Sequence, residues 1–220
     1  MNIAIIGSGE MGGCLAAMLI KLGHTVSVAN SRGPAIEEVV ENKEVIIVSI
    51  PQKNIPTLSK RFPKDAVVID TGNYYPNLRD GNIPALDQSG IDSLWVQEQL
   101  GVPVVKVFNS ILATSLKDKS THKRIALAVS GDDAKAKEVV FKMVEDLGFD
   151  HFDIGTIAQS WKQQPGSVIY CRDINLEELK RRVDTMGNDM QAVITKRKAD
   201  EVLMKNDYPA YLEYLQRGLQ

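Results

Sequence analysis

The residues whose types and spacing most clearly indicate a chemical task are the glycines near the N-terminus. They form a G-x-G-x-x-G motif made of Gly7, Ser8, Gly9, Glu10, Met11 and Gly12. The motif follows an apolar run at residues 3–6 and opens a segment at 11–22 with the composition of a helix. In this context Gly7 permits a tight turn, Gly9 lets a pyrophosphate approach the backbone and Gly12 lets helix and strand pack closely. Unpaired amides and the positive end of the helix dipole then face the phosphates, so the segment is predicted to bind a dinucleotide.

The residues after the second apolar run indicate which dinucleotide is bound. An NAD-binding unit carries Asp or Glu about 20 residues after the glycines, where it holds the ribose hydroxyls. This chain has Asn30, Ser31 and Arg32 there instead. A carboxylate would repel a 2′-phosphate, whereas Asn30 and Ser31 offer neutral hydrogen bonds and Arg32 offers a guanidinium. Because a charge-assisted hydrogen bond contributes about 1.5–3 kcal/mol, these residues predict a preference for NADP(H) over NAD(H).

Segments that follow later apolar runs are expected to line the same crevice, because ligands of open α/β sheets bind at the carboxyl ends of the strands. Ile50 and Pro51 are predicted to form an apolar wall for the nicotinamide ring. Thr71, Asn73 and Asn109 are predicted to offer uncharged hydrogen-bonding groups to the cofactor. The candidate contacts with a second substrate are Tyr74, Ser110, Ile111 and Trp161, the last of which could cap the site by stacking.

Six short runs of apolar residues indicate the strands that position these groups. They lie at 3–6, 25–29, 45–50, 66–69, 104–108 and 125–129 and are apolar almost throughout, as expected for strands buried on both faces. Helices are predicted at 11–22, 34–41 and 133–147. The alternation predicts an α/β fold with a doubly wound parallel sheet, a Rossmann domain, over residues 1–155. Residues 156–220 are predicted to form a small C-terminal region for substrate binding or oligomerisation, with a loop and an amphipathic helix.

The C-terminal region contains a narrow apolar stripe at three- and four-residue spacing. Its members are Leu176, Leu179, Val183, Met186, Met190 and Val193. A stripe of this width fits a helix that packs on its own domain, and equally a helix that packs against a second subunit. The sequence leaves both interpretations open, and a homodimer is the expectation taken forward.

The composition argues against several classes of protein. The 26 basic and 28 acidic side chains give no excess of positive charge for nucleic acid. No apolar run approaches the roughly 18 residues of a membrane span. The sequence has two cysteines, Cys14 and Cys171, which is unlike a secreted disulfide scaffold, and no His or Cys group has the spacing of a metal site. We therefore expect a cytoplasmic protein with no metal, membrane or nucleic-acid partner.

Together these residues resemble the F420-dependent NADP oxidoreductase family, within the broader group of predicted dinucleotide-binding enzymes. The resemblance spans roughly residues 1–172. It rests on the motifs at 5–12, 30–34, 70–76, 105–111 and 160–166, of which the first is common to many Rossmann proteins and the later ones are more specific. The reductase domains of the STEAP ferric reductases are similar as well.

The resemblance implies a function for two groups of residues. It implies that NADP(H) is held by residues 7–12 and by Ser31 and Arg32, and that a second redox-active ring lies against the nicotinamide beside residues 109–111. In members that use F420 this ring is a deazaflavin. Hydride transfer between two flat rings needs no side-chain acid or base, so no catalytic side chain is predicted. The resemblance leaves the acceptor open among a deazaflavin, a flavin and another planar molecule. The tail beyond about residue 175 lies outside the resemblance.

Two other functions remain open from the sequence. One is a reductase of a small keto or imino substrate. A β-hydroxyacid dehydrogenase would need a Lys and Asn pair on a helix of a second, α-helical domain, and the sequence contains no convincing segment of this kind. The other is a sensor that binds NADPH without turnover, which is compatible with the absence of a predicted general acid.

Overall fold

The computed structural model describes residues 1–58, 61–118 and 124–217, and its centre is a parallel sheet of five strands. The strands are β1 (Asn2–Ile6), β2 (Thr25–Ala29), β3 (Val45–Val48), β4 (Val67–Asp70) and β5 (Val104–Lys106). Their order is β2-β1-β3-β4-β5, with Ile5 of β1 opposite both Val28 and Ile47. The chain thus reverses direction across the sheet next to β1, which confirms the predicted doubly wound fold.

Helices cover both faces of this sheet, and further helices lie in the C-terminal region. They are α1 (Glu10–Lys21), α2 (Ile36–Val40), α3 (Pro84–Ser89), α4 (Asp92–Leu100), α5 (Ala113–Lys117), α6 (Ala134–Asp146), α7 (Leu176–Thr185), α8 (Met190–Asn206) and α9 (Tyr208–Arg217). Short 3-10 helices lie at Gln52–Leu58 and Ile157–Gln163, and a π-helical turn lies at Pro76–Asp80. The Asp133 carboxylate caps α6 by accepting hydrogen bonds from the Lys135 and Ala136 amides, which explains where that helix begins.

Successive residues of the inner strands enter two separate hydrophobic cores. Ile5 faces a core that includes α1 and α6, whereas Ile6 faces a core that includes α4. Both cores need apolar side chains, so the strands read as unbroken apolar runs rather than as an alternating pattern. This arrangement leaves the polar groups of the site to the loops at the carboxyl ends of the strands.

The sixth predicted strand does not join the five-stranded sheet, which corrects the sequence-based prediction. β6 (Ala126–Val129) pairs in parallel with β7 (Asp150–Asp153) in a separate two-stranded sheet. One antiparallel bridge between Lys106 and Ser130 connects it to the end of β5. β7 was missed because its sequence, DHFD, is polar and only partly buried.

The C-terminal stripe lies on two helices rather than on one, which is a second correction. α7 ends at Thr185, Gly187 takes a left-handed backbone conformation at φ 65°, and the Asp189 side chain caps α8. The α7 part of the stripe packs against Ala126 and Ala128 of β6. The α7 part of the stripe therefore packs on the β6–β7 sheet of the same chain. The boundary near residue 155 stays a prediction, and hydrophobic packing crosses it.

Candidate functional site

The glycine turn has the geometry of a phosphate-binding loop. Gly7 adopts φ 110°, and its amide donates to the Ala29 carbonyl at 2.8 Å. A Cβ on Gly7 would lie 2.1 Å from the Ser49 carbonyl oxygen, and one on Gly12 would lie 2.1 Å from the Gly7 carbonyl oxygen. A Cβ on Gly9 would meet nothing within 4 Å. Gly7 and Gly12 are therefore required by packing, whereas the open space at Gly9 is on the side where a ligand can approach.

The start of α1 has unpaired backbone donors. Gly9 is the N-cap residue of this helix, so no N-cap side chain accepts a hydrogen bond from the first turn. Ser8, Gly9 and Glu10 are all exposed, whereas Met11 is half-buried. The amides of this turn can thus bind an anion from solvent, with the dipole of α1 in support.

The turn after β2 faces the glycine turn. Asn30 donates from Nδ2 to Ser8 Oγ at 3.1 Å, and its Oδ1 accepts from the Arg32 amide at 2.9 Å. Ser31 and Arg32 are exposed. Arg32 takes part in none of the ion pairs found within residues 1–58, 61–118 and 124–217. Asn30 thus holds the turn in shape while the Arg32 guanidinium stays available to an anion.

A crevice of about 400 Å³ lies at the carboxyl ends of β1, β3, β4 and β5. Half of the predicted site residues meet there: Gly9, Glu10, Met11, Ile50, Pro51, Thr71, Asn73, Asn109 and Ile111. One end is thus formed by the glycine turn and the other by residues that follow β4 and β5. The crevice has the position that the sheet topology predicts for a ligand.

A buried ion pair supports the floor of this crevice. Lys106 Nζ lies 2.9 Å from Asp70 Oδ2 and also donates to the Gly72 carbonyl. Asp70 accepts two further hydrogen bonds, from Ser93 Oγ at 2.7 Å and from the Gly72 amide at 2.8 Å. Because each charge is buried with hydrogen-bonding partners, this group fixes the ends of β4 and β5 relative to each other.

Two predicted asparagines are joined by hydrogen bonds along the crevice wall. Asn109 Nδ2 donates to Asn73 Oδ1 at 3.0 Å and to the Gln163 carbonyl at 2.7 Å. Gln163 Nε2 donates back to Asn109 Oδ1 at 2.8 Å, and Asn73 Nδ2 donates to the Asn109 carbonyl at 2.9 Å. The Asn109 amide is therefore used within the protein, and the Thr71 hydroxyl likewise donates to the Val48 carbonyl at 3.2 Å. These side chains shape the crevice.

A pair of tyrosine hydroxyls, absent from the sequence-based prediction, lies on the same wall. Tyr75 and Tyr170 line the crevice, and their hydroxyls form a short hydrogen bond. Asn73 Nδ2 lies 3.4 Å from the Tyr170 hydroxyl, and the Arg79 guanidinium lies 5.2 Å from the centre of the Tyr75 ring. Burial raises the pKa of both phenols, so both are neutral hydrogen-bond donors at physiological pH.

Cys171 follows this pair and also lines the crevice. Its backbone lies in the left-handed region at φ 52°, and its amide donates to the Ser110 carbonyl at 2.9 Å. Burial raises the pKa of the thiol to about 12, which keeps it protonated and unreactive as a nucleophile. The backbone hydrogen bond fixes the position of Tyr170.

Helices α8 and α9 hold the crevice wall from behind. Arg197 of α8 forms a buried ion pair with Asp92 at 3.2 Å, and the Glu201 carboxylate accepts from the Asn77 amide at 2.8 Å. Tyr211 of α9 packs in the same hydrophobic cluster as Tyr170. The segments that carry Tyr75 and Tyr170 are therefore both anchored by the C-terminal region.

Three of the tentative substrate contacts do not line the crevice, which corrects their assignment. Tyr74 is fully buried, and its hydroxyl bonds with the Gly81 carbonyl and the Ile83 amide. Ser110 is buried and contributes its carbonyl to the Cys171 amide. Trp161 is 6% exposed in the 3-10 helix, with Lys162 over its ring. Tyr75, the residue after Tyr74, lines the crevice instead, and sequence spacing alone did not separate these two tyrosines.

The N-terminal segment matches a family model described as NADP oxidoreductase, coenzyme F420-dependent, over residues 2–38. A solved structure assigned as an F420-dependent NADP reductase from Arthrobacter sp. fb24 superposes with a TM-score of 0.59 at 22% identity, over 73% of this chain and 87% of that chain. The chain resembles this family, as predicted. The matched segment contains the glycine turn and the Arg32 turn.

One further solved structure shares the fold, and two curated relatives match part of the sequence. A hypothetical protein, SMa0349, from Sinorhizobium meliloti has a TM-score of 0.68 at 24% identity, over 80% of this chain and 95% of its own. The Escherichia coli protein YjhV is 48% identical over 50 residues, which is 23% of this chain and 36% of that protein. Metalloreductase STEAP3 of Rattus norvegicus is 26% identical over 175 residues, which is 72% of this chain and 35% of that protein. The chain matches about a third of the length of each of these two relatives.

Two features are absent from the described residues. Within residues 1–58, 61–118 and 124–217, no helix has both the length and the apolar character needed to cross a membrane. The same part of the chain has no group of three His, Cys, Asp or Glu side chains placed to hold a metal ion.

Proposed function

We propose that this protein is an NADP(H)-dependent oxidoreductase that transfers hydride between the nicotinamide and a planar acceptor. The observation that carries the proposal is the continuity of the site: one crevice joins the start of α1 to the carboxyl ends of β3, β4 and β5. A dinucleotide bound with its pyrophosphate at Gly9 would extend toward Ile50 and Pro51. The similarity to the NADP oxidoreductase family over residues 2–38 supports an oxidoreductase.

The preference for NADP(H) rests on the turn after β2. The Asn30 side chain makes hydrogen bonds that stabilise this turn. Arg32 is therefore the candidate ligand for a 2′-phosphate, together with the neighbouring Ser31 hydroxyl. The start of α1 would then bind the pyrophosphate, and the Arg32 guanidinium would bind the 2′-phosphate. No carboxylate stands in this turn to hold a free 2′-hydroxyl.

The acceptor would lie against the wall of Asn73, Tyr75 and Tyr170. Apart from Arg79, the side chains here are neutral, and the apolar residues Phe108, Ile111 and Leu112 complete the wall. A flat ring such as a flavin or deazaflavin suits this mixture of apolar surface and neutral donors. The assignment of a deazaflavin in particular rests on the family resemblance alone.

The test of the cofactor proposal is the Arg32→Ala variant. We expect the dissociation constant for NADPH to rise about ten- to a hundredfold, because a charge-assisted hydrogen bond is lost, while that for NADH changes less than about twofold. Lys64→Ala is the control, since this exposed lysine precedes β4 and so lies at the amino end of that strand, whereas the crevice lies at the carboxyl ends. Equal losses for both nucleotides would contradict the assignment of Arg32.

A sensor that binds NADPH without turnover is the second candidate, favoured by the absence of a predicted general acid. Stopped-flow oxidation of bound NADPH by F420, FMN, FAD and quinones separates the two functions. Oxidation by any of these acceptors at a rate above the uncatalysed one supports the oxidoreductase. Binding without oxidation by any of them supports the sensor.

The expected homodimer stays a prediction. Because the α7 half of the apolar stripe is covered by β6, a second subunit would have to use another surface. Light scattering on the full chain measures the oligomeric state directly.

A further inference from the structure

The crevice wall carries two neutral donors that no step of the proposed hydride transfer uses. The Tyr75 and Tyr170 hydroxyls bond to each other, although their residues lie 95 positions apart in the sequence. Each is brought to the crevice by a different segment, Tyr75 by the turn after β4 and Tyr170 by the loop before α7. Two phenol hydroxyls thus meet at the cleft from segments that are far apart in the sequence.

Hydride transfer to a conjugated acceptor creates negative charge at a defined atom. The hydride leaves the dihydronicotinamide with both electrons of its C–H bond and adds to a carbon or nitrogen of the acceptor. The displaced π electron pair moves along the conjugated system onto a carbonyl oxygen. An enzyme lowers the barrier by placing a fixed donor where this charge develops.

We propose that Tyr75 is a catalytic residue that donates a hydrogen bond, and then its proton, to the carbonyl oxygen of the acceptor, and that Tyr170 positions it. This inference rests on the proposed function and narrows the acceptor to a planar molecule in which a carbonyl is conjugated to the position that receives hydride. The O–H bond of Tyr75 breaks as the new O–H bond of the product forms. The phenolate then regains a proton from solvent, so one NADPH and one proton are consumed for each acceptor reduced.

The surroundings of Tyr75 favour this assignment over the reverse one. Both tyrosines line the crevice, but Tyr75 is partly exposed, whereas Tyr170 is 7% exposed. When Tyr75 gives up its proton, the Tyr170 hydroxyl can donate to the phenolate, and the Arg79 guanidinium lies beside the same ring. Both contacts lower the pKa of Tyr75 against the effect of burial. Among the described residues, no Arg or Lys lies over the Tyr170 ring, because the cation–π contacts are all made to other aromatic rings.

The position of Tyr170 is fixed from three sides, as a positioning residue requires. Asn73 Nδ2 lies 3.4 Å from the Tyr170 hydroxyl, and Tyr211 of α9 lies in the same hydrophobic cluster as Tyr170. The amide of the next residue, Cys171, donates a hydrogen bond to the Ser110 carbonyl. Tyr75 is held through its own amide, which donates to Asp80 Oδ2 at 2.9 Å. The two hydroxyls are thus preorganised before any acceptor binds.

The test measures single-turnover oxidation of bound NADPH by FMN and by menadione in the full-length protein. Tyr75→Phe is expected to lower the rate about a hundredfold or more, as for loss of one donor to a developing oxyanion, and Tyr170→Phe about tenfold. The dissociation constant for NADPH should stay within about twofold of wild type in both variants. Tyr208→Phe, which alters an exposed tyrosine of α9, is the matched control and should change neither quantity.

A solvent isotope effect distinguishes proton donation from a structural role. The wild-type rate should fall about twofold or more in D2O, and this sensitivity should disappear in Tyr75→Phe because that variant has no proton to give. Wild-type turnover with an unchanged rate in Tyr75→Phe overturns this inference and leaves the proposed oxidoreductase intact. Where FMN and menadione are not reduced, the same variants are measured with F420. A wild-type protein that binds NADPH and reduces none of F420, FMN, FAD and quinones contradicts the proposed function, and the inference with it.

Discussion

The two ends of the crevice are built in different ways. The nucleotide end is local in sequence: the glycine turn, α1 and the Arg32 turn all lie within residues 2–38, the segment that the family model matches. The acceptor end is assembled from three distant segments that carry Tyr75, Asn109 and Tyr170, with α8 and α9 behind them. Under the proposed function, phosphate binding would depend on one short unit, whereas acceptor binding would depend on the packing of segments that are far apart in the sequence.

The largest expected effect follows from breaking the ion pair that anchors the acceptor end. Arg197 and Asp92 are both buried, so Arg197→Leu leaves an uncompensated carboxylate and should lower the free energy of unfolding by about 3–5 kcal/mol. Urea denaturation measures this change. Well below the unfolding transition, NADPH binding should persist while acceptor reduction is lost, because Arg197 supports one end only.

Two variants control for that experiment. Lys198→Leu removes a neighbouring exposed charge of α8 and should leave the stability within about 0.5 kcal/mol of wild type. The double variant Asp92→Asn with Arg197→Leu removes both charges and should recover part of the loss. If Arg197→Leu weakened NADPH binding as much as acceptor reduction, the two ends could not be treated as separate units.

A glycine at the acceptor end gives the next largest effect. Gly166 has φ 91°, and a Cβ there would lie 2.3 Å from the Val193 carbonyl oxygen and 2.5 Å from the Arg197 amide nitrogen. Gly166→Ala should therefore push the loop that carries Tyr170 away from α8 and cost about 1–3 kcal/mol of stability. Thermal unfolding checks this value. Gly101→Ala is a matched control, since it has a similar positive φ of 70° but open space around the Cβ.

A glycine at the nucleotide end should behave in the opposite way. Gly9 has φ −68°, and a Cβ there would meet no protein atom within 4 Å, so Gly9→Ala should leave the melting temperature nearly unchanged. The added methyl group would occupy the space through which the pyrophosphate approaches the backbone, and the dissociation constant for NADPH should rise about tenfold or more. Isothermal titration calorimetry measures the affinity. Unchanged affinity would mean that the phosphates bind elsewhere.

The same contrast explains how much of the molecule could be predicted from the sequence. The parallel sheet and the glycine turn were predictable because buried strands are continuously apolar and because the motif acts through neighbouring backbone. α4 was missed because its first turn buries Asp92 and Ser93, polar residues that obscure the apolar face. The sequence-based prediction named Tyr74 rather than Tyr75 as a substrate contact and did not include Tyr170. Only tertiary packing brings the Tyr75 and Tyr170 hydroxyls together.

The smallest expected effect concerns α7, which covers the β6–β7 sheet at the acceptor side of the molecule without touching the crevice. The hydrogen bonds from Arg181 and Arg182 lower the pKa of Glu178 from 4.5 to about 2. A carboxyl whose pKa is lower in the folded state stabilises the protein above its unfolded pKa, and this contribution is lost as the pH falls from 4.5 through 2. Glu178→Gln should therefore lower the melting temperature slightly at neutral pH, and by less than Arg197→Leu or Gly166→Ala, since exposed ion pairs contribute little. The melting curves of variant and wild type should converge near pH 2 and in high salt, and acceptor reduction should be unchanged. A difference that persisted at low pH would show that Glu178 acts through packing rather than through its charge.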